Sequence, residues 1–187
     1  HQALNSVAVL AVVHHLGGDV VKAASDLEQL RPLAGRGARH NVRVSGGSVT
    51  ILDESYNASP VALRAALTVL SQAQTGPGGR RIAVLGDMLE LGDDAIALHT
   101  SLSGDLIQHK VDLLFAVGPM MNRLYGELPP ARRGGAAGNA RAMADLLGDV
   151  LRPGDVILIK GSRRIGLEAV VEALTQGRPG SAAVRGG

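Results

Sequence analysis

Residues 50–67 read "TILDESYNASPVALRAAL". The apolar, β-branched run ending at Asp53 has the character of a strand. Ser59-Pro60 starts a helix, with Ser59 as N-cap and Pro60 at N1, where its missing N–H costs nothing. Strand and helix explain both flanks and leave Asp53, Glu54, Tyr56 and Asn57 in the junction. Asp, Asn and Ser are common turn residues, so a purely structural turn is one account. The other comes from topology, because open α/β sheets bind ligands beyond the carboxyl ends of their strands.

The same grammar repeats outward from this junction. "VRVS" from Val42, a Gly46-Gly47 turn and "SVTILD" predict a hairpin. Helix 60–73 is followed by strand 81–86, helix 94–109, strand 113–118 and a short helix around 120–126. After a Pro/Arg/Gly-rich loop come helix 139–150, strand 156–161 and helix 164–175. Strands alternating with helices of this length imply right-handed crossovers and an α/β fold: a Rossmann-like, mostly parallel sheet with helices on both faces. Upstream, a helix over 3–16 ends at Gly17-Gly18, Asp19 caps a second over 20–30, and "RPLAGRGARHN" (31–41) reads as a loop. The expected division is a two-helix remnant of a preceding domain (1–41), the sheet domain (42–176) and a flexible tail (177–187). A chain opening at His1 inside a helical pattern is expected to start in the middle of a larger protein.

Composition narrows the function. With no Trp, one Phe and two Tyr among 187 residues, the interior must be aliphatic and closely spaced. The net charge is +2, but the Arg residues are scattered and the stacking aromatics of RNA or single-strand binders are missing, which argues against a nucleic-acid partner. The absence of Cys excludes disulfides and Cys-type zinc sites and fits a reducing compartment. "ALNSVAVLAVVHHLGG", the longest apolar stretch, is too short and too interrupted to span a bilayer and lacks the flanks of a signal peptide.

Neither G-x-x-x-x-G-K-[ST] nor G-x-G-x-x-G occurs, and the six His show no ligand spacing. His14 and His15 stand near a helix end, where capping explains them. "VLGDMLELG" puts Asp87 and Glu90 just past a strand, and "LIKGSRR" puts Lys160, Ser162, Arg163 and Arg164 past the last one. Such cations and donors suit a carboxylate or phosphate, with a capped loop and solvated charge as the competing accounts. Accidents would scatter to both edges of a sheet. Three polar clusters, at 53–57, 87–90 and 160–164, fall at one predicted carboxyl edge, which favours a ligand site.

"LDESYNASP", "AVLGDMLELG" and "GDVILIKGSRRIGLEAVVEAL", in this order, resemble the carboxyl-terminal part of the Mur ligase family. Upstream, "HQALNSVAVLAV" and "RPLAGR" are similar to the family's H-N-x-x-N helix and to the P-x-x-G-R segment that closes its central ATPase domain. The closest resemblance is to members whose acceptor is a UDP-N-acetylmuramoyl-tripeptide and whose amine is D-alanyl-D-alanine. It implies a cytoplasmic, ATP-dependent ligase of peptidoglycan biosynthesis that forms an amide through an acyl phosphate. ATP and Mg2+ are the implied cofactors. The phosphate loop, the metal ligands and a carbamylated lysine are expected upstream of His1, in a central domain that packs on residues 1–41.

The resemblance also assigns residues. Asn5 matches the helix asparagine that reads adenine, while Gln2 stands where the family often has Asn. Arg36 matches the arginine that approaches the ATP phosphates, a task suited to a permanent, fork-shaped cation. Asp53 or Glu54 fills the acid position near the ATP ribose. Tyr56 and Asn57 resemble residues that shape the nucleotide and dipeptide cleft, and Lys160 and Ser162 the last-strand motif that faces the incoming amine. Arg164-Ile165 departs from the small or Gly-Met residues often found there and receives no role. Two alternatives stay open: another Mur-type or folylpolyglutamate-type amino acid ligase, and a non-catalytic nucleotide- or peptide-binding module.

Overall fold

A computed structural model describes residues 2–29 and 33–176. The chain divides into two compact units, His1–Pro32 and Leu33–Gly187. In the first, α1 (Gln2–His15) and α2 (Val20–Glu28) are joined through Gly17, which takes the left-handed conformation (φ 72°) that ends a helix. Asp19 caps α2 by accepting the Lys22 N–H at 2.9 Å.

The second unit is built on a sheet of six strands: β1 (Ala38–Val44), β2 (Gly47–Asp53), β3 (Arg81–Gly86), β4 (Leu113–Val117), β5 (Arg133–Ala137) and β6 (Val156–Lys160). Their spatial order is β1-β2-β6-β3-β4-β5. Only the β1–β2 pair is antiparallel, as a hairpin requires; its turn is Ser45-Gly46, and Gly47, read from sequence as part of the turn, opens β2 by pairing with Val44, while the rest are parallel. Side chains alternate between the faces. Ala83, Leu85, Leu114, Ala116 and Leu158 meet α3 (Pro60–Gln72), α5 (Leu102–Gln108) and α6 (Pro119–Glu127) on one side. Ile82, Val84, Phe115, Ile157 and Ile159 meet α7 (Ala140–Val150) and α8 (Glu168–Gln176) on the other. The expected three-layer α/β architecture is therefore present, and two neighbouring central strands, β3 and β6, send their following helices to opposite faces. That is a topological switch point, where such sheets open a crevice.

Several elements differ from their sequence reading. The sheet begins at Ala38, inside the stretch read as a loop, because residues 38–41 pair with residues 50–53 of β2. The single helix expected over 94–109 is two, α4 (Ala95–Thr100) and α5, which meet at Ser101. The Pro/Arg/Gly-rich loop contains β5, "RGGAA". A Cβ on Gly134 would stand 2.4 Å from the Phe115 ring, so the strand is made of small residues because Phe115 occupies the space above it. Helix α8 starts at Glu168, after a 3₁₀ turn over Arg163–Ile165. The tail expected over 177–187 lies outside the described residues. No described helix is long and apolar enough to cross a membrane.

At the amino edge, Asp155 is buried and fastens Arg80. Its carboxylate accepts Nη2 at 2.7 Å, Nε at 3.1 Å and the Arg80 backbone N–H at 2.8 Å, and also the Arg152 N–H at 2.9 Å. The carboxyl edge, by contrast, gathers the three polar clusters singled out in the sequence.

Candidate functional site at the carboxyl edge of the sheet

Asp53 ends β2, Lys160 ends β6 and Asp87 follows β3, so all three polar clusters lie at one edge. The fold then separates residues that are adjacent in sequence. The Asp53 side chain follows Ile51 toward the α7–α8 layer, and Glu54 follows Leu52 toward the α3 layer.

Asp53 is buried (3% exposed) and its carboxylate is fully engaged. One oxygen accepts the Gly35 N–H at 2.8 Å; the other accepts the Ser55 N–H at 3.1 Å and its hydroxyl at 2.6 Å. With Gly37 N–H donating to the Asp53 carbonyl at 2.8 Å and Tyr56 N–H to the Gly35 carbonyl at 3.1 Å, the segment 35–37 is laced onto the end of β2. Gly35 has φ 74°, and a Cβ there would meet the Tyr56 backbone nitrogen at 2.9 Å, so this close approach needs glycine. This lacing places Arg36.

Glu54 and Lys160 face each other at 4.0 Å on the opposite side. The Lys160 ammonium also donates to the Asn57 carbonyl at 2.8 Å and the Glu54 carbonyl at 3.4 Å, pinning the turn 54–57. Burial pushes the Lys160 ammonium below the usual lysine range, with the Glu54 carboxylate pulling it back. Burial likewise raises the Glu54 carboxyl above its ordinary value, against the pull of Lys160. Asn57 is exposed, its Oδ1 accepting the Ala58 N–H at 2.8 Å, and Ser59 caps α3 as expected.

Tyr56 is exposed and lies between two arginines. The Arg36 guanidinium sits 3.9 Å from the ring centroid and that of Arg163 5.1 Å, with Arg163 Nη1 donating to the phenol oxygen at 3.2 Å. Hydrogen bonding from Arg36, and then the charges of Arg163 and Arg36, hold the phenol below the usual tyrosine range. Beside this stack opens a cavity of about 290 Å³ walled by Gly35, His40, Asp53, Tyr56, Arg163 and Val171. That is the low end of ligand-pocket volumes, room for one ring-sized portion of a larger molecule.

The remaining cluster is a strut. Asp87, 3% exposed, accepts the N–H groups of Met121 at 2.6 Å and Met120 at 3.3 Å, capping α6 from outside its own chain segment. Ser162 donates its N–H to the Asp87 carbonyl at 3.1 Å and accepts the Leu89 N–H at 2.9 Å, tying the loops after β3 and β6 together. His99 is fully buried beneath this loop; its Nε2 accepts the Met88 N–H at 2.9 Å and its Nδ1 lies 2.6 Å from the Ala95 carbonyl, which fixes the Nδ1–H tautomer. No motif marks His99, because its partners are backbone atoms. Asn5 lies on α1, in the other unit. Among the described residues no group of three His, Asp or Glu could hold a metal ion.

Comparison with known proteins agrees with this architecture. The domain model described as "Mur ligase, glutamate ligase domain" matches residues 38–163, from the first residue of β1 to the arginine after β6. UDP-N-acetylmuramoyl-tripeptide–D-alanyl-D-alanine ligases are similar over nearly the whole chain. Those of Mycobacterium tuberculosis are 34% identical over 93% of it, and that of Synechocystis is 33% identical over 97%. The chain spans 38% of the length of these relatives. Among solved structures, MurF from Acinetobacter baumannii superposes with a TM-score of 0.77 at 26% identity over 95% of the chain. MurF ligase from Thermotoga maritima in complex with ADP does so with 0.73 at 29% over 94%; each match covers 38% of the solved chain. With more than half its residues inside that domain, the chain belongs to the Mur ligase family.

Proposed function

We propose that this chain is the carboxyl-terminal part of an ATP-dependent ligase that joins D-alanyl-D-alanine to UDP-N-acetylmuramoyl-tripeptide, a cytoplasmic step of peptidoglycan biosynthesis. The observation that carries the reading is similarity over 93% of the chain to ligases bearing that name. ATP gives its terminal phosphoryl group to the acceptor's carboxylate and leaves as ADP, and the dipeptide's amine then attacks the acyl phosphate, forming the amide as phosphate departs. What this chain contributes is recognition and placement.

Arg36, exposed and braced on Tyr56, offers a permanent fork of donors to the ATP phosphates. Of the two candidate acids, Glu54 takes the ribose hydroxyls, because the Asp53 carboxylate already accepts three bonds from the protein. Lys160 acts through the turn it pins, setting Glu54 and Asn57 rather than meeting the amine itself. Asn57 lines the side where the dipeptide enters, and Ser162, buried and bonded to Asp87 and Leu89, acts there through the loops it ties together. Asn5 reads adenine from α1, and α1 with α2 complete the central ATPase domain. The magnesium that such a reaction uses belongs, on this reading, to the rest of the ligase.

The test is nucleotide affinity in the full-length protein. Removing a charge-assisted hydrogen bond costs roughly 1.5–3 kcal/mol, so Glu54→Ala should weaken ATP binding about ten- to a hundredfold by calorimetry. Unchanged affinity in a folded variant would take the ribose role from Glu54.

A further inference from the structure

Arg163 receives no role from the resemblance, yet its backbone is firmly mounted at this edge. The residue before it, Ser162, is 6% exposed and bonded to Asp87 and to Leu89. The two bonds after it, Ile165 N–H to the Ser162 carbonyl at 2.9 Å and Gly166 N–H to the Arg163 carbonyl at 3.1 Å, close a 3₁₀ turn. From that mount its guanidinium reaches Tyr56 twice, over the ring face and at the phenol oxygen. Arg36 lies over the same ring at 3.9 Å. Two guanidinium ions repel, and an aromatic face and a phenol oxygen offer both a common support.

We propose that Arg163 is a positioning residue for Arg36: by fixing the ring and phenol of Tyr56 it fixes the platform on which the Arg36 guanidinium rests, and so aims that fork at the nucleotide. The phosphate role of Arg36 belongs to the reading given above; the coupling of the two arginines through Tyr56 does not depend on it. The loop after the last strand thereby senses whether the segment 35–37 is in place.

The coupling is tested on the chain itself. It has two tyrosines, so in a Tyr125→Phe background Tyr56 is the one phenol, and its ionisation is followed by phenolate absorbance. Arg163→Gln and Arg36→Gln should each raise the midpoint, and the shift caused by Arg36→Gln should shrink by half or more once Arg163→Gln is present. A shift of the same size in both backgrounds overturns the proposal. Circular dichroism verifies that each variant is folded.

In the full-length ligase, Arg163→Gln should raise the KM for ATP several-fold with that for the dipeptide unchanged, and should add nothing in a Tyr56→Ala background. An equal loss in both backgrounds means that Arg163 meets the substrate directly, which also overturns the proposal. Coupled titration in a protein without ligase activity would sink the functional reading and leave the positioning intact.

Discussion

Asp53 and Glu54 are neighbours with the same chemistry and opposite surroundings. Asp53 is held by Gly35 and Ser55, while Glu54 faces Lys160 across the sheet end. Asp53→Ala should therefore act on stability, leaving the Gly35 and Ser55 donors without their acceptor at a cost of about 1–3 kcal/mol in denaturant unfolding. A change within about 0.5 kcal/mol, the range of ordinary surface substitutions, would contradict that role. No reading of "LDESYNASP" alone separates the two acids. What distinguishes them is which face each takes and where the segment 35–37 lands, and both are set by distant residues. The strand end, the N-cap Ser59 and Pro60 were legible because those signals are local.

Asp155 is the residue whose chemistry reports on pH. Burial opposes its charge, but bonds from Arg80 and from the Arg152 N–H overcome that and leave its folded pKa below the ordinary 3.8. The unfolded chain then takes up this proton at a higher pH than the folded one. Its stabilising contribution is complete above 3.8 and is lost as pH falls through the lowered folded value. Asp155→Asn should remove that part of the acid sensitivity, so unfolding free energy measured across a pH series should fall less steeply below about pH 4. An unchanged slope would mean that other groups carry it.

At the scale of elements, α6 depends on a residue outside itself. Gly118 precedes it with φ 103°, and a Cβ there would stand 2.5 Å from the Asp87 carboxyl carbon. Asp87→Ala should cost about 1–2 kcal/mol through the lost cap. Gly118→Ala should cost more than ~1 kcal/mol through backbone strain and the clash with that carboxyl. The double variant should be more stable than the sum of the two predicts, since removing the carboxyl relieves the clash. Additive losses would show that Asp87 and Gly118 act independently. The same scale shows why two strands escaped notice. "RGGAA" has no β-branched residue because Phe115 fills its neighbourhood, and Ala38–Asn41 carries one apolar residue in four because it is an edge that pairs only with β2. Helix α3 was legible from Ser59, whose side chain caps it locally, and the structure shows Asn139, read as the first residue of the next-to-last helix, capping α7 in the same way.

On the scale of the whole molecule, the sheet converts sequence motifs more than a hundred residues apart into one edge. Asp53 and Lys160 end strands that are hydrogen-bonded neighbours, and Asp87 follows the next strand over. The division of labour at that edge is by burial: Asp53, Asp87, Lys160 and Ser162 build it, and Arg36, Tyr56 and Asn57 are exposed on it. Its task is set by what the full-length protein joins. Full-length protein should be supplied with ATP and UDP-N-acetylmuramoyl-tripeptide and offered in turn D-alanyl-D-alanine and single amino acids, with the products weighed by mass spectrometry. The tripeptide should gain the mass of the dipeptide less water, with matching phosphate release and only when the dipeptide is present, if the chain is part of the proposed ligase. A product formed with a single amino acid and none with D-alanyl-D-alanine would contradict that assignment.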